Sequence, residues 1–157
     1  MRVATALDVH AFAEEPRPLM LACLEFAPTG GLAGHSDADV AAHAAADALL
    51  IASGIGELGT IFGTDRPEWA GASGAALLGE AVRLVTEDDW QIANIAIQII
   101  GQRPKVAPRK LEAQRVMTDI VGAPVIIAAT TTDHLGALGR VEGIGALATV
   151  LLTARPD

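Results

Sequence analysis

Two chemically competent side chains stand two residues apart near the start of the chain, Asp8 and His10 in "ATALDVHAF". The residues around them are small or branched and apolar, which reads as a strand, and side chains at i and i+2 of a strand leave the same face. A carboxylate and an imidazole can therefore reach one point in space. Further along, "HSDADVAAH" supplies His35, Ser36, Asp37, Asp39 and His43, the last inside an alanine-rich stretch. Asp8, His10 and His43 together offer two imidazoles and one carboxylate. With a fourth position open, that is the ligand count of a catalytic rather than a closed structural zinc site. The competing explanation is that His10 ends a strand and His43 is a satisfied core histidine. Three of the chain's four histidines lie beside aspartate-containing motifs, which favours the metal. One chemistry open to such a site is hydrolysis of a phosphate ester by metal-bound water, with Asp37, Asp39 or Glu57 as general base.

Strands and helices must bring these residues together. Val3 to Val9 reads as a strand, and "LMLACLEFAP" as one or two more, ending at Pro28. "TGGLAGHS" has the glycines of a loop. From Asp37 onward, "DADVAAHAAADALLIASGIG" is rich in alanine and leucine, with an Asp start and a Gly stop, and predicts a helix. "GTIFGTDRPEWAGASG" reads as a long polar loop of the kind that often carries function. A second helix is predicted from about Ser73 to Thr86, and the alternating, β-branched "WQIANIAIQIIG" is a strand. "RPKVAPRKLEAQRVMTDIVG" gives a proline-rich turn and a third helix. "PVIIAATTT" and "GIGALATVLLTA" are strand-like, separated by a loop holding His134, Arg140 and Glu142. The order predicts an α+β fold with a single mixed β-sheet and helices packed on one face. The other face is expected to be apolar, because Ile95 to Ile100 and Val125 to Ala129 carry few polar residues, and so to drive oligomerisation.

Composition sets bounds on this picture. A chain of 157 residues, 51% hydrophobic, suits one domain over 1–157 with a core of its own. Aromatics are only 3% with no tyrosine, so the core must be built from Ala, Val, Ile and Leu. A net charge of −8 argues against nucleic acid as a partner, since phosphate backbones are held by Lys/Arg patches. The longest apolar stretches are interrupted by aspartates and a histidine, which excludes a membrane-spanning helix. The single cysteine, Cys23, leaves no internal disulfide, and the first residues lack a signal-peptide pattern, so a cytoplasmic location is expected.

Taken in order, "DVHAF", "GHSDADVAAHAAADALL", "GELG", "QRPK" and "ATTTDHLG…GRVEG" resemble the motifs of the 2-C-methyl-D-erythritol 2,4-cyclodiphosphate synthase family, of the non-mevalonate isoprenoid pathway, over nearly the whole chain. The resemblance implies a homotrimer with the sheets facing the three-fold axis and active sites at subunit interfaces. It implies that Asp8, His10 and His43 hold Zn²⁺ or another divalent transition metal, while Asp133 reaches a second cation, Mg²⁺ or Mn²⁺, on the substrate diphosphate. His35 and Thr131 would serve catalysis; Ser36 would position the phosphates. Glu57 and Gly59 would contact the substrate. Gly101, Lys105, Ala107, Ala129, Thr130 and Thr132 would form the cytidine side of the site. Arg140 would lie near the axis, where a small cavity accepts an isoprenoid diphosphate or another anion. The reaction so implied is attack of a 2-phosphate on the β-phosphorus of a cytidine diphosphate substrate, with release of CMP.

The chain departs from the family pattern at several points. Glu57 stands where an aspartate is usual, Asp133 where many members have glutamate, and Ala137 where an aromatic residue is common. Val141 replaces the middle glycine of the usual G-R-G-E-G. If that position needs φ > 0, valine is strained there.

Overall fold

The computed structural model describes residues 1–63 and 65–155. Among them six strands and five helices follow in the order β1 (Arg2–Ala11), β2 (Leu19–Leu21), β3 (Leu24–Ala27), α1 (Val40–Ser53), α2 (Leu58–Ile61), α3 (Gly74–Glu87), β4 (Trp90–Ile100), α4 (Lys110–Val121), β5 (Val125–Thr130), α5 (Gly136–Gly139) and β6 (Gly143–Ala154). Four strands form one mixed sheet in the order β1-β6-β4-β5, and β2 and β3 form a separate hairpin. β6 runs antiparallel to both neighbours and β4 parallel to β5. The carboxyl ends of β1, β4 and β5 therefore share one edge of the sheet.

Helix α1 is the centre of the molecule. Twelve of its fourteen residues are buried, which is what a helix apolar on nearly every side requires. It packs on β1 and β6 on one side and on α3 on the other. The core is built as composition demands: its buried hydrophobics are Ala, Val, Ile and Leu with Met117, and no aromatic ring is fully buried. The helix starts at Val40 rather than near Asp37, because Asp39 is the residue whose side chain caps it, accepting from the N–H groups of Ala41 and Ala42 at 3.1 Å. Gly54 ends it in the left-handed conformation, φ 82°.

Two expectations need correction. The long loop after α1 contains the helical turn α2 and a 3-10 turn at Pro67–Trp69, with Phe62 and Trp69 meeting edge to face at 4.9 Å. The solvent face of the sheet is mixed rather than uniformly apolar. Val3, Leu7, Val9, Ile126 and Leu147 are exposed on it, but Thr5 and Thr149 hydrogen-bond across the strands at 2.9 Å, and Asn94 and Gln98 share that face by register. Strand period 2 explains the difference, because the apolar runs divide between the two faces.

Asp39 does more than cap α1. Its carboxylate also accepts from Ala22 and Cys23, at 2.8 and 2.6 Å, the two central residues of the β2–β3 turn. Both have positive φ, 52° and 62°, a turn geometry that usually selects Asn-Gly. Asp39→Ala would leave four backbone donors, three of them buried, without this partner, and we expect it to lower unfolding stability by about 3 kcal/mol or more in denaturant titration. Val141 lies in the turn after α5 with φ 63°, confirming the strain anticipated for a β-branched residue there. Its side chain is 39% exposed, so little packing is at stake. Val141→Gly is expected to raise stability by about 1 kcal/mol in the same measurement.

Candidate metal centre and active-site cleft

Asp8 and His10 both leave the inner face of β1, near its carboxyl end, and His43 reaches them from the first turns of α1. One carboxylate oxygen, Asp8 Oδ2, lies 3.2 Å from His10 Nε2 and 3.2 Å from His43 Nδ1. A ligand atom from each of the three falls within 4.8 Å of the others. Among the described residues this is the group of three such side chains able to hold a metal ion.

The second nitrogen of each imidazole is already engaged. His10 Nδ1 donates to the carbonyl of Ala33 at 2.5 Å, which turns Nε2 toward Asp8. His43 Nε2 lies 3.1 Å from Ser36 Oγ, which also accepts from the Ala38 N–H. Two imidazole nitrogens converging on one carboxylate oxygen call for a cation between them, and this donor set fits a divalent transition metal. Burial pushes the Asp8 carboxyl up, but hydrogen bonds and charge from His10 and His43 outweigh it and hold the group at about 2. The hydrogen bond to Asp8 raises His10 above its ordinary value against the opposing effect of burial.

The triad opens into a cleft of about 310 Å³. His35 and Ser36 line it, as does Gly59 from α2. The far wall is apolar, made by Leu58, Phe62, Trp69 and Leu77, with Arg66 on the rim. Sequence reasoning missed this wall by treating the segment as a polar loop. The signal was there: a chain with three Phe, two Trp and no Tyr places two of those rings seven residues apart in that loop. Glu57 stands beside the cleft rather than in it, lining a shallow depression with Ile51, Gly54, Gly56 and Thr60. The buried Asp39 spends its oxygens on four backbone N–H groups, so it is no base for a metal-bound water. Asp37 is similarly occupied, accepting from Gly74 at 2.7 Å and from the Asp39 N–H at 3.2 Å.

The remaining expected site residues gather elsewhere on the same sheet edge. The N–H of Gly101, after β4, donates to the Thr130 carbonyl at the end of β5, 3.0 Å away. Lys105 is exposed in the following turn, and Ala107 opens a 3-10 turn. Ala129 and Thr130 end β5 exposed, Thr131 Oγ1 accepts from the Asp133 N–H at 3.2 Å, and Thr132 donates to the Leu135 carbonyl at 2.7 Å. Arg140 pairs with Glu142 at 2.7 Å on the surface. None of this second group lines the metal cleft of the same chain. In the order β1-β6-β4-β5, the end of β4 that leads into Gly101 stands two strand spacings from β1, about 10 Å, and the end of β5 with Ala129 and Thr130 three, about 14 Å.

This geometry has close counterparts among known proteins. The chain is 52% identical to the 2-C-methyl-D-erythritol 2,4-cyclodiphosphate synthase of Cutibacterium acnes, over 98% of this chain and 91% of that protein. It is 51% identical to the protein of the same name from Acidothermus cellulolyticus, over 96% and 93%. A solved structure of 2C-methyl-D-erythritol-2,4-cyclodiphosphate synthase in a CDP-bound form superposes with a TM-score of 0.87 at 32% identity, covering 97% of this chain and 100% of that one. The profile of the YgbB family matches residues 1–153, and the chain belongs to that family.

Proposed function

We propose that this protein is a 2-C-methyl-D-erythritol 2,4-cyclodiphosphate synthase. It would convert 4-diphosphocytidyl-2-C-methyl-D-erythritol 2-phosphate to the cyclic diphosphate and CMP in the non-mevalonate isoprenoid pathway. The observation that carries the reading is the Asp8–His10–His43 triad, open on one side to a cleft with His35 and Ser36, in a chain half identical to synthases of that name.

Asp8, His10 and His43 would hold a zinc ion, and a bound metal of this kind makes a phosphorus centre more electrophilic by polarising its oxygens. The nucleophile belongs to the substrate. An oxygen of its 2-phosphate forms the new bond to the β-phosphorus, the bond from that phosphorus to the bridging oxygen of the α-phosphate breaks, and CMP carries the electron pair away. The protein's task is alignment and charge neutralisation. Ser36 and His35, on the loop over the triad, would position the phosphates. The apolar wall of Leu58, Phe62, Trp69 and Leu77 would shield the branched carbon skeleton. Gly59, with Glu57 beside it, would contact the diol.

The cytidine end requires a second copy of the chain. Gly101, Lys105 and Ala107 follow β4, two strand spacings from β1, and Ala129, Thr130 and Thr132 lie at the end of β5, three spacings away, and none of them lines the cleft at the triad of the same subunit. In a homotrimer with the sheets around the axis, these groups from one protomer would meet the metal cleft of its neighbour. Thr131 would then reach the phosphates, and Asp133 a magnesium or manganese ion on them. The exposed Val3, Leu7, Val9, Ile126 and Leu147 would be covered in that assembly, with Arg140 near its axis.

Purified protein supplied with the substrate, Zn²⁺ and Mg²⁺ should release CMP and the cyclic diphosphate in equal amounts. A ring-opened phosphate would point to hydrolysis instead. His10→Ala should lose bound zinc and at least about 100-fold in kcat, with unchanged circular dichroism. Light scattering should give three times the chain mass of 16.1 kDa, and Leu7→Glu on the exposed sheet face should reduce it to one.

A further inference from the structure

The segment Pro16–Arg17–Pro18 has no place in the chemistry so far, yet its side chain reaches the loop above the metal triad. Arg17 donates from Nη1 to the Gly34 carbonyl at 3.1 Å and from Nη2 to the Ser36 carbonyl at 2.5 Å. These two carbonyls flank His35. The forked guanidinium thus grips both sides of the residue proposed to position the phosphates, a geometry that one ammonium does not reproduce.

The base of this grip is rigid. Pro16 and Pro18 restrict the backbone on either side of Arg17. The Arg17 carbonyl accepts from the Gly31 N–H at 2.9 Å, and a Cβ on Gly31 would collide with the Pro18 carbonyl. The loop is stitched down at its near end as well, where Ala13 donates to Gly31 and Ala33 to Ala11, at 2.9 and 2.8 Å. Beyond Ala33 the backbone of Gly34 and His35 has no such ladder, and both residues are exposed. The Arg17 side chain supplies the hold there.

We infer that Arg17 is a positioning residue that braces the Gly34–Ser36 loop, and through His35 and Ser36 sets the placement of the substrate phosphates over the metal centre. The inference rests on the proposed roles of His35 and Ser36.

The test compares Arg17→Met, which keeps the stem and removes the guanidinium, with Arg17→Lys, both as full-length zinc-loaded protein. Amide exchange across residues 33–38 should quicken in Arg17→Met, while exchange in α1 and the zinc content stay at parent values. kcat and kcat/KM should fall together by about 10- to 100-fold, and Arg17→Lys should recover part of both effects. Unchanged loop exchange overturns the brace, whether or not kcat falls. Faster exchange with kcat within about twofold of the parent overturns its link to catalysis. If Arg17→Met does not fold, Arg17→Lys against the parent gives the same two readouts. A parent without cyclising activity refutes the proposed function, and the exchange comparison then still decides whether Arg17 holds the loop.

Discussion

The buried carboxylate of Asp39 is the contact on which the site's geometry depends. Four backbone N–H groups converge on it, two from the start of α1 and two from the β2–β3 turn. Burial pushes this carboxyl up, and the N–H groups of Cys23, Ala42 and Ala22 oppose that by solvating its charge. Fixing the first turn of α1 in this way fixes His43, four residues on, against β1. It also holds Ala22 and Cys23 in a left-handed turn that neither side chain favours. One side chain therefore sets both the approach of a metal ligand and the hairpin that packs beside it.

The sheet supplies the other constraint. Because β1, β4 and β5 run in one direction, their carboxyl ends place Asp8 and His10, Gly101, and Thr130 along one edge, where ligands collect in sheets with parallel strands. Strand order then separates the metal ligands from the Gly101–Thr130 group. The same order that builds both half-sites keeps them apart within one chain, which is why the proposed reaction calls on a neighbouring subunit. The exposed apolar side chains on the opposite sheet face fit that requirement.

Much of this was legible in residue types and spacing. The pair Asp8 and His10 at i and i+2 could only share a strand face, and the alanine-rich run around His43 could only be a buried helix. The strand assignments for β1, β4, β5 and β6 followed from period and β-branching, and Ser73 was recognisable as the start of α3, whose first turn it caps. Val141 was recognisable as strained from its place in a glycine motif. The loop after α1 reads as polar because glycine and polar residues dominate its composition, whereas Phe62 and Trp69 meet edge to face.

By itself, then, the sequence determined the fold class, the candidate metal triad and the loop that carries His35 and Ser36, because those depend on local period and on residue chemistry. Tertiary structure alone decided which aspartate caps α1, that Glu57 lies beside the cleft, that Arg17 reaches across to Gly34 and Ser36, and that the ends of β4 and β5 stand two and three strands from the triad's strand. These depend on contacts between residues distant in the chain. Asp37 and Asp39 have the same chemistry and nearly the same position in sequence; only the arrival of Ala22 and Cys23 on one, and of Gly74 on the other, assigns them different work.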